Sequence, residues 1–212
     1  MGYGPYLANI RKYTAGKKVL SSGMGAEVKR CRMALSEACE GKIVSVVSSG
    51  DPGIYGMAGL ILQIADAEGS KVPVEIIPGV TAMSGAAARL GAPLMVDFAV
   101  VSLSDILVPW KEIRKRLESA AKGDFVTVLY NPRSKRRIRQ LEEVVRIFRK
   151  YRDSGTAVGI ATSVGSKDER ISFATLGTLL EQDIGMRSLV IIGNSRCRIM
   201  DKWMIVERGY RL

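Results

Sequence analysis

The sequence predicts an α/β fold of two packed domains, with a largely parallel sheet in the N-terminal domain and a mixed sheet in the C-terminal one. Three observations predict it. Short β-branched runs recur along the chain and most end at Gly, Pro or Asn. Stretches of helical period, about 10–15 residues long, separate them, which is the order that builds βαβ units. In the last quarter, strands follow one another with little helix between, and close succession suits antiparallel pairing.

The elements follow in chain order. Residues 42–49 are a β-branched run ending at Gly50, predicted as a buried strand. A glycine-rich turn leads into a helix reaching about Asp66. Val72 to Ile77 is a second strand, closed by Pro78-Gly79. Thr81 to Leu90 is Ala-rich and helical, with Gly91 as its stop. Strands are predicted at Asp97–Leu103, Asp124–Tyr130, Thr156–Thr162, Ile171–Leu176, Ser188–Gly193 and Lys202–Glu207. Helices are predicted at Trp110–Ala121 and Ser134–Tyr151, with a short one at Leu176–Gln182. The first half is rich in Gly and Ala and the second carries the charge, which places the domains at 1–96 and 97–212. No low-complexity linker or internal repeat separates them.

Composition excludes several chemistries. The chain has 212 residues and no histidine, so no imidazole-dependent triad, proton shuttle or HExxH zinc site is available. Three cysteines, Cys31, Cys39 and Cys197, form no CxxC. A disulfide framework or zinc site is not expected, and a reducing cytoplasm is. No apolar run approaches the roughly 18 residues of a membrane span, and Met1-Gly2-Tyr3-Gly4-Pro5 does not read as a signal peptide.

The net charge is 32 − 21 = +11. Residues 111–150 hold 13 Lys+Arg against 5 Asp+Glu, densest at Arg133, Lys135, Arg136, Arg137 and Arg139. Such a patch suits nucleic acid, an anionic surface or a polycarboxylate substrate, or is simply a solvated helix face. No aromatic interleaves it, which argues against single-stranded nucleic acid.

Four strand ends carry the polar and small residues expected of a ligand site. Ser48-Ser49-Gly50-Asp51-Pro52-Gly53-Ile54-Tyr55-Gly56 opens a helix, and its glycines continue every third residue to Gly59. This is neither GxGxxG nor a P-loop. Asp51 would repel a pyrophosphate and suits the amino group or sulfonium of a cationic ligand. The others are Pro78-Gly79-Val80-Thr81-Ala82, Val101-Ser102-Leu103-Ser104-Asp105 and Leu129-Tyr130-Asn131-Pro132-Arg133. Thr81 is a candidate N-cap.

Together and in this order, SSGDPGIYGMAGL, IPGVTAMSGAAARLGAPL, VSLSD with PW, LYNPRS, and TLG with SLVIIGN resemble the tetrapyrrole methylases over essentially the whole chain. The resemblance implies a two-domain class III methyltransferase fold with S-adenosylmethionine in the cleft between domains. It implies methyl transfer to C17 of precorrin-3B or cobalt-precorrin-3 with ring contraction, in cobalamin (vitamin B12) biosynthesis. By position, it assigns donor contacts to Ser49, Gly50, Asp51, Ile54, Thr81, Ala82, Asn131, Val164 and Gly165. It also implies a homodimer and an anionic tetrapyrrole as partner, with no nucleic acid, membrane or protein-bound metal. Arg133 is the expected carboxylate contact, and Ser102, Ser104, Asp105 and Tyr130 are the candidates for proton transfers during contraction. Alternatives are methylation at another macrocycle position, non-catalytic tetrapyrrole binding, and nucleic-acid binding by residues 133–139. Family members carry an apolar strand and a GxGPG(D/S)-type loop before the segment resembling Gly2-Tyr3. This sequence shows neither, so weak or absent methyltransferase activity is expected.

Overall fold

The structure, a computed structural model, describes residues 1–134 and 138–211. Lys135, Arg136 and Arg137 of the expected basic run therefore lie outside the described residues. The chain forms two compact units, Met1–Thr81 and Ala82–Leu212. The expected division at 96/97 differs from this because residues 82–92 pack within the second unit.

In the first unit, β1 (Gly2–Tyr3), α1 (Gly4–Asn9), α2 (Arg11–Thr14) and β2 (Ser21–Ser22) precede α3 (Glu27–Cys39) and α4 (Ala58–Ala67). The two longer helices exist because each carries an apolar i, i+3, i+4 stripe. Cys31, Ala34 and Leu35 of α3 pack with Ile61, Ile64 and Ala65 of α4. Each ends on a glycine in the left-handed region, Gly41 (φ 82°) and Gly69 (φ 62°). The amide of Gly41 reaches Ala38 O and that of Lys42 reaches Glu37 O, while Gly69 and Ser70 repeat the pattern on Asp66 and Ala65. This closes orphan carbonyls of the last turn.

The parallel N-terminal sheet is much smaller than predicted. β1 pairs with β2 in parallel over two residues, and Gly2 makes one parallel bridge to Val47. The strands expected at 42–49 and 72–77 form no ladder. β-branched composition favours an extended backbone, but a strand also needs a neighbour for its N–H and C=O groups. Here Ile43 is fully exposed and Ile77 is 72% exposed.

The second unit bears out the predicted mixed sheet. α5 (Ala82–Leu90) leads into β3 (Gly91–Ala92), β4 (Phe98–Ser102), α6 (Trp110–Lys122), β5 (Val126–Tyr130) and α7 (Arg139–Phe148). β6 (Ala157–Thr162), β7 (Arg170–Thr175), a short 3-10 turn at Leu179–Glu181, β8 (Ser188–Ile192), β9 (Cys197–Met200) and β10 (Trp203–Val206) complete it. Five strands form one sheet in the order β4-β5-β8-β6-β7; β4 and β5 are parallel and the other pairs antiparallel. A second sheet has the order β3-β10-β9.

The large sheet is buried on both faces, which explains the continuous apolar reading of β5 and β8. Leu129, Val158, Ile160, Val190 and Ile192 face α6 and α7, packing with Ile113, Leu117, Val144 and Phe148. The alternating residues Val126, Val128, Ala157, Ala161, Leu189 and Ile191 pack with Ala86 and Leu90 of α5 and Met204 of β10. Gly159 lets those elements close: a Cβ there would lie 2.7 Å from Leu90 Cδ1 and 3.0 Å from Met204 Sδ.

Candidate active site

In the first unit, the turn before α4 is built around Asp51. Its Oδ1 accepts the Gly53 N–H at 2.8 Å and its Oδ2 the Gly79 N–H at 3.0 Å. One carboxylate thus clasps the two loops that leave the predicted strand ends. Hydrogen bonds from Gly79 first and Gly53 second hold the Asp51 carboxyl below the usual aspartate range, because both favour the ionised form.

The glycines of this turn have different physical reasons. Gly50 has φ 68°. A Cβ on Gly79 would sit 2.1 Å from the Gly50 carbonyl oxygen, and one on Gly56 would sit 2.6 Å from that of Pro52. Both contacts are to backbone and admit no side chain. Gly59 has open space around it, so the threefold spacing is not one motif with one cause. Ser49, Gly50 and Ile54 are exposed along this turn, and Thr81 is buried immediately before α5.

In the second unit, β4 and β5 run in parallel with Ser102 opposite Tyr130, so their C-terminal ends lie side by side. Ser102 Oγ accepts the Asn131 Nδ2–H at 3.0 Å and the Ser104 N–H at 3.2 Å. Asn131 adopts φ 52°, a conformation that Asn tolerates better than most residues. The Tyr130 hydroxyl accepts the Met83 N–H at 2.9 Å and so holds the first turn of α5. Ser102, Ser104, Tyr130 and Asn131 are therefore gathered at one edge. Asp105 is pinned separately, accepting a hydrogen bond from Gln140 Nε2 at 3.0 Å. Arg133 lines a shallow groove with Ile138, Leu141, Glu142 and Leu180.

Residues 163–165 turn back through two left-handed conformations, Ser163 (φ 54°) and Gly165 (φ 77°). Glu169 anchors the loop, accepting the Gly165 N–H at 2.7 Å and Arg89 Nε–H at 2.6 Å. These two bonds, Gly165 first, pull the Glu169 carboxyl below its ordinary range. Val164 packs near α5, where a Cβ on Gly85 would come within 3.1 Å of Val164 Cγ1. The Ser163 hydroxyl is buried with no hydrogen-bond partner. Gly79 and Met83 lie in or directly after the strand-end segment that the residue pattern singles out, whereas Arg89, Gln140 and Glu169 carry no such signal. Each acts through a contact distant in sequence; Arg89 and Glu169 are 80 residues apart.

Residues 4–180 match the model of the tetrapyrrole (corrin/porphyrin) methylases. The chain belongs to that family. Among its relatives is a probable cobalt-factor III C(17)-methyltransferase of Salmonella typhimurium, 42% identical over all of this chain and 88% of that protein. A cobalt-factor III methyltransferase of Priestia megaterium is 43% identical over all of this chain, which spans 40% of that protein's length. The crystal structure of the methyltransferase CobJ superposes with a TM-score of 0.91 at 38% identity, over 97% of this chain and 87% of that one.

Proposed function

We propose that this chain transfers a methyl group from S-adenosylmethionine to C17 of a corrinoid precursor, with ring contraction, in cobalamin biosynthesis. The observation that carries the proposal is the end-to-end likeness to a relative bearing the C17 name, at 42% identity.

The residues present suit the donor. The unpartnered Ser163 hydroxyl offers a buried polar atom in the loop that also holds Val164 and Gly165. The close backbone approach of Gly79 to Gly50 admits no side chain at position 79, so backbone groups are presented there. Donor contacts are assigned to Ser49, Gly50, Asp51, Ile54 and Thr81 in the first unit, and to Ala82, Asn131, Val164 and Gly165 in the second. The donor supplies an electrophilic methyl group on a sulfonium. An electron-rich ring carbon would take that methyl as the C–S bond breaks and S-adenosylhomocysteine leaves, so the protein needs positioning and exclusion of water rather than an activated side-chain nucleophile. A chain without histidine can serve this chemistry.

Arg133 contacts a substrate carboxylate, and Ser102, Ser104, Asp105 and Tyr130 support the proton movements of contraction. The working form is a homodimer in the cytoplasm. Among the described residues, no helix is long and apolar enough to cross a membrane.

Single-turnover product analysis tests the reaction, because it reads slow chemistry as well as fast. Mass spectrometry and NMR are expected to show one added methyl at C17 and a contracted ring. Methylation at another carbon, or an uncontracted methylated product, would overturn the C17 assignment.

A further inference from the structure

The loop between β4 and α6 presents two large aliphatic side chains to solvent. Ile106 is 79% exposed and Leu107 is 92% exposed. Single exposed apolar residues are ordinary, but an adjacent pair beside a functional edge is not. The loop is held at both ends. The Ser104 amide bonds Ser102, Asp105 is fixed by Gln140, and Val108 and Trp110 pack against the core. Trp110 Nε1–H also donates to Glu143 at 2.6 Å. The two side chains are therefore held out on a pinned loop tip.

Gln140 ties this tip to the start of α7, whose neighbouring residues Ile138, Leu141 and Glu142 line the groove containing Arg133. Ile138 and Leu180 are themselves 46% and 43% exposed. The groove thus sets apolar side chains beside one cation, Arg133, and one carboxylate, Glu142.

We propose that Ile106 and Leu107 form a platform for the flat apolar face of a polycarboxylate tetrapyrrole, whose rim carboxylates reach Arg133. This rests on the methyltransferase reading and adds residues that determine which macrocycles bind. Charge complementarity selects this occupant. A second copy of the chain would bring like charge against a strongly basic segment, and nucleic acid would gain no stacking from aliphatic side chains.

Uroporphyrin, an octacarboxylate macrocycle, serves as the probe in a fluorescence-quenching titration. The double substitution Ile106→Ser with Leu107→Ser is expected to raise its Kd about tenfold or more. S-adenosylhomocysteine affinity, measured by calorimetry on the same variant, should stay within about twofold of wild type. Arg133→Gln should weaken uroporphyrin binding and flatten its salt dependence. Unchanged uroporphyrin affinity in the double variant overturns the platform. If that variant instead changes from dimer to monomer in sedimentation with uroporphyrin affinity unaltered, the patch is a self-association surface and the platform is again overturned. Wild-type protein that binds S-adenosylhomocysteine but not uroporphyrin overturns the platform alone, whereas protein that binds neither overturns the methyltransferase reading with it.

Discussion

Gly79→Ala is expected to weaken S-adenosylhomocysteine binding by about a hundredfold or more, while the far-UV melting of the second unit stays as in wild type. The added Cβ would stand 2.1 Å from the Gly50 carbonyl oxygen, where real Cβ atoms do not occur. Either the 78–80 segment or the Gly50-Asp51 turn must move, and the Gly79 N–H to Asp51 bond is lost with it. Calorimetry on the purified variant is the measurement, and near-wild-type affinity would show that this turn does not position the donor. The same clasp carries a pH signature. The folded Asp51 pKa lies below its unfolded value, so the clasp contributes fully above the unfolded pKa and is lost as pH falls through the folded one. Donor affinity should therefore fall on acidification below about pH 4, and Asp51→Asn should remove that step.

Arg152→Leu is expected to have the largest effect on stability, lowering the unfolding free energy by about 2–3 kcal/mol. The Arg152 side chain is only 3% exposed. It donates to the carbonyls of Gly193, Phe125 and Ala120 and lies over the Phe148 ring at 4.8 Å. Its nearest carboxylate is Asp124, at 3.6 Å. Asp124 sits at φ 55° where α6 ends, in the place usually taken by glycine, and accepts hydrogen bonds from Ser195 N–H and Oγ–H. One guanidinium thus joins the end of α7, the entry to β5 and the exit of β8. Leucine fills part of the volume but removes the guanidinium donor from the Gly193 carbonyl, whereas Ala120 O and Phe125 O keep the Phe125 N–H and the Thr127 hydroxyl. Urea denaturation followed by circular dichroism measures the loss, and a change below about 1 kcal/mol would contradict this role.

Arg152 also shows where sequence pattern stops being informative. It follows directly on the basic stretch that reads as a solvated face, and nothing local marks it as buried. The second unit was legible because its strands alternate against two covered faces; Val126 and Val128 pack toward α5 and β10, and Leu129 toward the helices. A helix end was legible where glycine marks it, as at Gly91 directly after α5. α3 could have been found from Cys31, Ala34 and Leu35 at helical spacing, although no element had been placed before residue 42.

The strands expected at 42–49 and 72–77 were not borne out, because extended propensity is local and ladder formation is not. The site shows the same split. Ser102, Tyr130 and Asn131 could be proposed as neighbours because parallel strands align their ends. The Asp51–Gly79 and Arg89–Glu169 contacts required the fold.

Isothermal titration of the folded 212-residue chain with S-adenosylhomocysteine tests the central claim most directly. Saturable binding that Gly79→Ala weakens by about a hundredfold or more is the predicted result. Absence of binding by protein whose circular dichroism shows it folded would contradict the methyltransferase assignment.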